Sequence, residues 1–431
     1  MIWFFIGSEA KKEVSVVSKR KGLLFVVAAF VGSVLSVSTA FSSGYQLNEH
    51  GSSAVAMGGA FVARAWDPSS IYFNPAGLSY VKGFNVMVGG TLILPSTTFT
   101  DLTNDAVTKM NSLSFFPPNA YITYNFDNGL AAGIGVFTPE GLGTSWPQDW
   151  VGRFIITKIN LQSFDVNPTV SYSFLNDMVS VGAGFDYVLG TVVLEKYNST
   201  PFNDTAGITP FIHMQGNAKG TGYNFGVMLK PYENISLGFS YRSKITYKVD
   251  NGTATFSQDA SLSSLLPGGT VSTSLPLPTT WYAGIAYKGG NFSVEADYQY
   301  IGWSAYDSLT IDFQKQTSAQ QNSSVVGNYG NSYIIRVGGE YMLNDMWALR
   351  AGIFYDKNPV PDAYDLPILP DADRLGLNIG FGVHVTNNIS VDASYMFLPF
   401  KQRTITTSAY GLNGTYNTTA NLLGIDISYK L

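Results

Sequence analysis

SSGYQLNEHGSSAVAMGGAFVARAWDPSSIYFNPAGLSYV, residues 42–81, lies between an apolar N-terminal leader and a chain that otherwise alternates in the manner of β-strand. This stretch does not alternate. Its small residues, among them Gly51, Ser52, Ser53, Ala54, Gly58 and Gly59, suit short helical turns and close backbone packing, and no long apolar face runs through it. It reads as a compact plug. Asn74-Pro75-Ala76, after Asp67-Pro68-Ser69-Ser70, punctuates it as a turn would, since Asn caps well and Pro fixes φ.

From Gly83 onward the period is two. Ile235, Leu237, Phe239 and Tyr241 alternate with Ser236, Gly238, Ser240 and Arg242; Leu375 through Val385 alternate with Gly376, Asn378, Gly380, Gly382 and His384. Each strand therefore has one apolar face and one face of polar residues or glycine. A β-sandwich would turn the apolar face inward. Here the strands are too many for one sandwich, and Tyr287, Tyr341, Trp347 and Tyr429 recur at strand ends, where a membrane interface places aromatics.

Composition agrees with apolar faces turned outward. Charged residues are 13% of the 431, about half the ~25% of soluble domains, and aromatics are 14%. Outside the N-terminus there is no apolar run of ~18 residues, so helices do not cross a bilayer. Lys11, Lys12, Lys19, Arg20 and Lys21, the apolar Gly22 to Leu35 and the small Ser38-Thr39-Ala40 read as a signal peptide over 1–40 with an unusually long positive region. No cysteine is present to staple the fold. A net charge of −5, spread without blocks, gives no support to nucleic-acid binding.

Turn signals set the strand count. Short polar turns stand at Asp127-Asn128-Gly129, Leu175-Asn176-Asp177, Pro231 to Asn234, Lys288 to Asn291, Leu343-Asn344-Asp345 and Thr386-Asn387-Asn388. Longer connections fall near 96–113, 139–160, 199–210, 250–276, 302–331, 357–373 and 398–418. Six turns and seven loops make thirteen connections and hence fourteen strands. Short turns at one end and long loops at the other is the arrangement of outer-membrane barrels.

The opening Gly44-Tyr45-Gln46-Leu47-Asn48-Glu49 and the Asn74-Pro75-Ala76 tripeptide together resemble the N-terminal hatch of the FadL family, outer-membrane channels for long-chain fatty acids and other hydrophobic compounds. The resemblance continues through Tyr241-Arg242-Ser243, Asn358-Pro359-Val360-Pro361, Leu369-Pro370-Asp371-Ala372-Asp373-Arg374 and Ser394-Tyr395-Met396. It implies an all-β membrane fold, a 14-stranded antiparallel transmembrane β-barrel over 82–431 with a hatch over 41–81 and both ends periplasmic. The place would be the outer membrane of a Gram-negative bacterium, beside lipopolysaccharide and after the barrel assembly machinery. The last strand resembles that machinery's signal, with Leu431 where Phe is usual.

The resemblance also implies site residues. A plugged barrel cannot pass an oily molecule straight down unless the plug moves, and the family has a kink in its third strand that opens the wall sideways. Pro139-Glu140-Gly141 follows the strand that starts at Leu130, and Pro cannot donate to a ladder. Gly133, Gly135, Pro139 and Gly141 are accordingly the lateral-gate candidates, the alternative being that Pro139 merely begins the second loop. Tyr45 stands where the hatch places an aromatic in the ligand pocket. In the fourth loop, Leu262, Leu265 and Leu266 form a candidate surface helix beside an external groove.

Fatty-acid members hold the carboxylate with interior bases, but Tyr187 to Leu194 carries none. Arg242, Lys244 and Arg336 are the substitutes, unless they pair with acids such as Asp186, Glu295, Asp297 and Glu340. The missing base keeps aromatic or alkane hydrocarbons as the alternative substrate class. No Gly-x-Ser-x-Gly elbow, metal-spaced His pair or phosphate loop points to an enzyme, cofactor or metal, so an outer-membrane lipase is disfavoured. A general porin is disfavoured by the plug.

Overall fold

The computed structural model describes residues 44–64, 66–198, 209–257 and 262–431. The expected signal peptide lies outside these residues, as does most of the third loop. Period-two alternation resolves into fourteen antiparallel strands: β1 (Phe84–Asp101), β2 (Pro118–Asn125), β3 (Leu130–Phe137), β4 (Lys158–Phe174), β5 (Val179–Tyr197), β6 (Phe211–Tyr232), β7 (Ile235–Arg242), β8 (Thr280–Gly289), β9 (Phe292–Ile301), β10 (Ser332–Met342), β11 (Trp347–Asp356), β12 (Arg374–His384), β13 (Ile389–Pro399) and β14 (Gly414–Lys430). Each pairs with its neighbours in sequence. The last pairs with the first from Asn85↔Lys430 to Asp101↔Gly414, so the sheet closes on itself.

All six short turns fall at one end, where the sequence puts them. Asp127, Leu175, Asn176 and Asp177 adopt the left-handed φ that such tight reversals need, at 59°, 55°, 55° and 60°. At the other end strands run further than the sequence suggests. The expected loop 250–276 is largely sheet: Ile245–Ser257 and Gly269–Leu277 continue β7 and β8 upward and pair with each other. Gly141–Ser145 likewise continues β3 within the expected loop 139–160. The candidate helix around Leu262 is, among the described residues, one tight turn, in which Leu266 N–H donates to the Leu262 carbonyl at 2.9 Å.

The two faces of the wall have different duties. Outward stand large apolar residues such as Ile134, Val170, Phe225, Ile379 and Ile425, all exposed. Inward stand glycine and polar residues, because residues 44–81 occupy the space behind them. This N-terminal segment forms the short helices Ser52–Ala56 and Ser70–Phe73 and the 3₁₀ turn Pro75–Tyr80. Its backbone donors and acceptors, which no ladder satisfies, are met by side chains of the wall. Asp297 accepts from the N–H groups of Phe61 (2.8 Å) and Val62 (3.1 Å), and Glu295 accepts from Ala63 (2.6 Å). Asn378 donates to the Val55 carbonyl (2.7 Å), Ser236 to that of Ala63 (2.6 Å) and Asn125 to that of Ser79 (2.5 Å).

Inward glycines admit the same segment. A Cβ on Gly338 or Gly352 would overlap Met57, and one on Gly238 would overlap the Val62 carbonyl. The polar-or-glycine face of the wall is thus the imprint of the segment it encloses.

Gly338→Val should therefore displace residues 52–63 without opening the closed sheet. Limited proteolysis of the variant in detergent should cut the N-terminal segment while heat-modifiable gel migration of the barrel persists. An N-terminus as protected as in the parent protein would contradict this.

Candidate functional site

β3 pairs regularly with β4 from Leu130↔Tyr172 to Phe137↔Asp165, and pairing resumes at Gly141↔Gln162. Three residues, Thr138-Pro139-Glu140, therefore oppose two, Ser163 and Phe164. This is a bulge, and the Ser163 hydroxyl closes it, donating to the Glu140 carbonyl (2.6 Å) and accepting from the Glu140 N–H (3.1 Å). On the other side the wall does not close it. Pairing of β2 with β3 stops at Ala120↔Val136, and the next stretch of edge is taken by the N-terminal segment instead. Leu47 N–H donates to the Pro139 carbonyl (2.8 Å), and Gly141 N–H donates to the Tyr45 carbonyl (2.9 Å). Residues 45–47 form a short substitute strand over the gap between β2 and Gly141–Ser145.

Pro139 and Gly141 accordingly sit at the interruption. Gly133 and Gly135 do not: they lie below it, in regular register with Thr123 and Tyr121 of β2, their inner faces packed against Ile71. They make room for the N-terminal segment rather than a gap in the wall.

Above the bulge lies a cavity of about 510 Å³, within the ~300–1,000 Å³ usual for small-molecule sites. Leu142, Ile159, Leu194, Met214, Leu275 and Phe313 give it an apolar lining. Leu142 belongs to the continuation of β3, so the cavity borders the interruption directly. Tyr45 also lines it, its ring edge-on to Trp303 at 4.7 Å and its hydroxyl donating to the Pro276 carbonyl at 2.6 Å. Tyr247, another lining residue, donates from its hydroxyl to Glu140 at 2.6 Å and ties the cavity to the bulge from the opposite wall.

None of the three expected bases lines this cavity. Arg242 is held by Asp165 (3.2 Å) and by Asp186, beneath the cavity and over the rings of Tyr72 and Phe137. Arg242 is thus already engaged by two carboxylates of the wall and is not a free base for an anionic head group. Lys244 is exposed, at the break between β7 and its continuation. Arg336 is buried beside Gly59 and opposite Asp297 in the β9–β10 register.

Lys196 is the base the sequence reading passed over. It stands near the end of β5, two residues beyond the segment searched, and is the one charged side chain among the described lining residues. No described carboxylate pairs with it. The alternation that brings Val192 and Leu194 to the lining would have found it, since Lys196 continues the same face of the strand.

Asn74-Pro75-Ala76 is a fastening. Asn74 donates to the carbonyls of Val62 (2.8 Å) and Val227 (3.2 Å) and accepts from Ala76 N–H (3.1 Å), capping the 3₁₀ turn that Pro75 starts. A Cβ on Gly226 would overlap the Asn74 side chain and one on Gly182 would overlap Pro75. The tripeptide is an Asn-Pro turn and a bolt to β5 and β6 at once. Of the histidines, His50 is buried with its ring 2.9 Å from the Leu47 carbonyl, and His384 is exposed.

Residues 33–431 match the family model described as outer membrane protein transport protein (OMPP1/FadL/TodX). The chain is 28% identical to a long-chain fatty acid transport protein of Escherichia coli, over 86% of this chain and 91% of that one. It is 26% identical to a putative outer membrane protein of Neisseria meningitidis, over 93% and 97%. Among solved structures it resembles a FadL homologue of Pseudomonas aeruginosa with a TM-score of 0.80 at 18% identity, covering 90% of this chain and 99% of that one. It also resembles the Pseudomonas putida toluene transporter TodX, with a TM-score of 0.71 at 17% identity, covering 89% and 99%.

Removing the Tyr45 ring from the cavity wall tests its reach. Tyr45→Ala should enlarge the cavity and tighten binding of an apolar fluorescent probe to the detergent-purified chain by several-fold. Tyr45→Phe should lose only the bond to Pro276, about 1 kcal/mol. Equal affinity in Tyr45→Ala and the parent chain would place the probe elsewhere.

Proposed function

The chain belongs to the OMPP1/FadL/TodX family of outer-membrane transport proteins, and on that premise we propose that it takes up long-chain fatty acids passively, releasing them sideways through the interruption in β3. It is a β-barrel transporter of hydrophobic compounds in the Gram-negative outer membrane, not an enzyme. The observation that carries the proposal is the double use of one short segment: the Tyr45 ring lines the apolar cavity while the backbone of residues 45–47 covers the unpaired edge at Pro139 and Gly141. A ligand that displaces the ring uncovers the exit.

The magnitudes are compatible. Releasing two backbone hydrogen bonds and the Tyr45 hydroxyl bond costs about 1 kcal/mol each. Withdrawing the ring from apolar surroundings costs about 2 kcal/mol more. The sum is matched by burying roughly six methylenes at ~0.8 kcal/mol apiece, which a long acyl chain exceeds and a single aromatic ring, at about 2 kcal/mol, does not reach. Ejecting residues 44–81 whole would forfeit every wall contact described above, so the movement stays local.

Lys196 supports a carboxylate at the end of the chain: an unpaired ammonium in an apolar cavity is costly until an anion arrives. The fatty-acid relative at 28% identity points the same way. Aromatic or alkane hydrocarbons are the second reading, favoured by the otherwise wholly apolar lining.

Three variants separate these readings in a host deleted for its own transporter. Lys196→Met should depress growth on oleate several-fold while leaving hydrocarbon uptake unchanged; equal loss of both would remove the carboxylate role. Replacing Pro139-Glu140-Gly141 by Val-Thr-Val should abolish uptake in a barrel that still folds. A disulfide between Ser52→Cys and Gly424→Cys, where an added Cβ would stand 2.9 Å from the Ser52 Oγ, should leave uptake largely intact. Transport blocked by the tether but not by the repaired strand would mean that the ligand passes through the plug.

A further inference from the structure

Leu369-Pro370-Asp371-Ala372-Asp373-Arg374 closes the loop 357–373, and its Asp371 is buried at 2% exposure although it belongs to a connection between strands. Its two oxygens point to different partners. Oδ2 accepts the N–H of Gly44 at 3.0 Å, whereas Oδ1 lies 3.5 Å from the Arg374 guanidinium and accepts the Ala372 N–H at 2.9 Å. Gly44 immediately precedes Tyr45. It has φ +62° and packs so closely on Trp303 that a Cβ would overlap the indole, so it is held between that ring and the Asp371 carboxylate.

The loop is itself tied down. Arg403, on the connection between β13 and β14, donates to the carbonyls of Asp371 (2.7 Å) and Val360 (2.6 Å) and pairs with Asp362 (2.7 Å) and Asp365 (3.4 Å). Arg374 is anchored by Asp356 at 3.0 Å. Asp365 accepts the Asp371 N–H at 3.2 Å. From the same loop Leu366, Ile368 and Leu369 line the cavity. One connected set of contacts thus runs from the ligand cavity to the Gly44 amide of the N-terminal segment.

We propose that Asp371 is a positioning residue for transport: through Gly44 it holds the N-terminal segment in its cavity-lining, gap-covering position, and Arg374 and Arg403 fix Asp371 for that purpose. Ligand pressing on Leu366 and Leu369 strains the latch from the loop side, as ligand displacing Tyr45 strains it from the segment side. The proposal rests on the lateral-exit reading for its consequence but not for its geometry.

Hydrogen exchange on the detergent-purified full chain reads it directly, because the Leu47 amide is protected by the Pro139 carbonyl. Asp371→Ala should speed exchange at Tyr45–Leu47 about tenfold, and should tighten binding of a fluorescent polyene fatty acid several-fold, since the ring yields more readily. In a Tyr45→Ala background the same change should add nothing to affinity. Asp373→Ala is the control: that carboxylate is held by Lys357 and Tyr355 and does not touch the segment, so it should alter neither readout.

Unchanged Leu47 exchange in Asp371→Ala, or an equal rise in Asp373→Ala, would overturn the proposal. Should Asp371→Ala fail to fold, Asp371→Asn keeps an acceptor for Gly44 but loses the ion pair, and a smaller rise is expected; no rise overturns it. Faster exchange in a protein whose parent binds no fatty-acid probe would leave the latch standing and reject the ligand class.

Discussion

A closed sheet in a membrane must satisfy every backbone group along its wall, and where Thr138-Pro139-Glu140 put three residues against two the ladder with β2 has already stopped. Proline removes one donor there, and Ser163 satisfies Glu140 from one side. The edge left over has no strand to meet. Tyr45 to Leu47 meet it instead, which makes the position of the whole N-terminal segment a condition of the wall's integrity.

The enclosed segment accounts in turn for the composition of the inner face. Barrel interiors can be polar because water fills them, but here the polar groups answer specific amides and carbonyls, and the glycines stand where the segment's backbone comes close. Such a fit opposes wholesale ejection: many hydrogen bonds would have to break together, each leaving a buried partner unsatisfied. It permits movement at residues 44–47, whose backbone is held by Asp371 and the edge of β3 and whose Tyr45 side chain is held by Trp303 and the Pro276 carbonyl.

Much of this was legible before any coordinates. Strict alternation gave the faces, and six Asn-, Asp- or Gly-bearing turns gave the count of strands and their order. Pro139 marked the interruption, because a residue without an N–H cannot sit unnoticed in a ladder. What alternation could not show was pairing between distant strands. Arg242 looked free as a base until the fold brought Asp165 and Asp186 to it, and Gly133 looked like part of a gap until Ile71 of the segment filled its face. Lys196 is within reach of the same alternation but lies beyond the segment Tyr187 to Leu194, on a strand that runs three residues further. The Ser, Thr, Gly and Pro content of the β7 and β8 extensions resembles a turn region, whereas in the sheet those residues pair with each other across Ile245↔Leu277 and beyond.

A long-chain fatty acid bearing a diazirine at its methyl end, photolysed during uptake through outer-membrane vesicles, tests the side exit most directly. Labels should collect at Thr138, Glu140 and Leu142 and on the lipids beside β2 and β3. Labels at Arg64, Trp66 and Asp67, at the short-turn end of the segment, with none at the bulge, would show that the molecule goes through the plug and would contradict the lateral route.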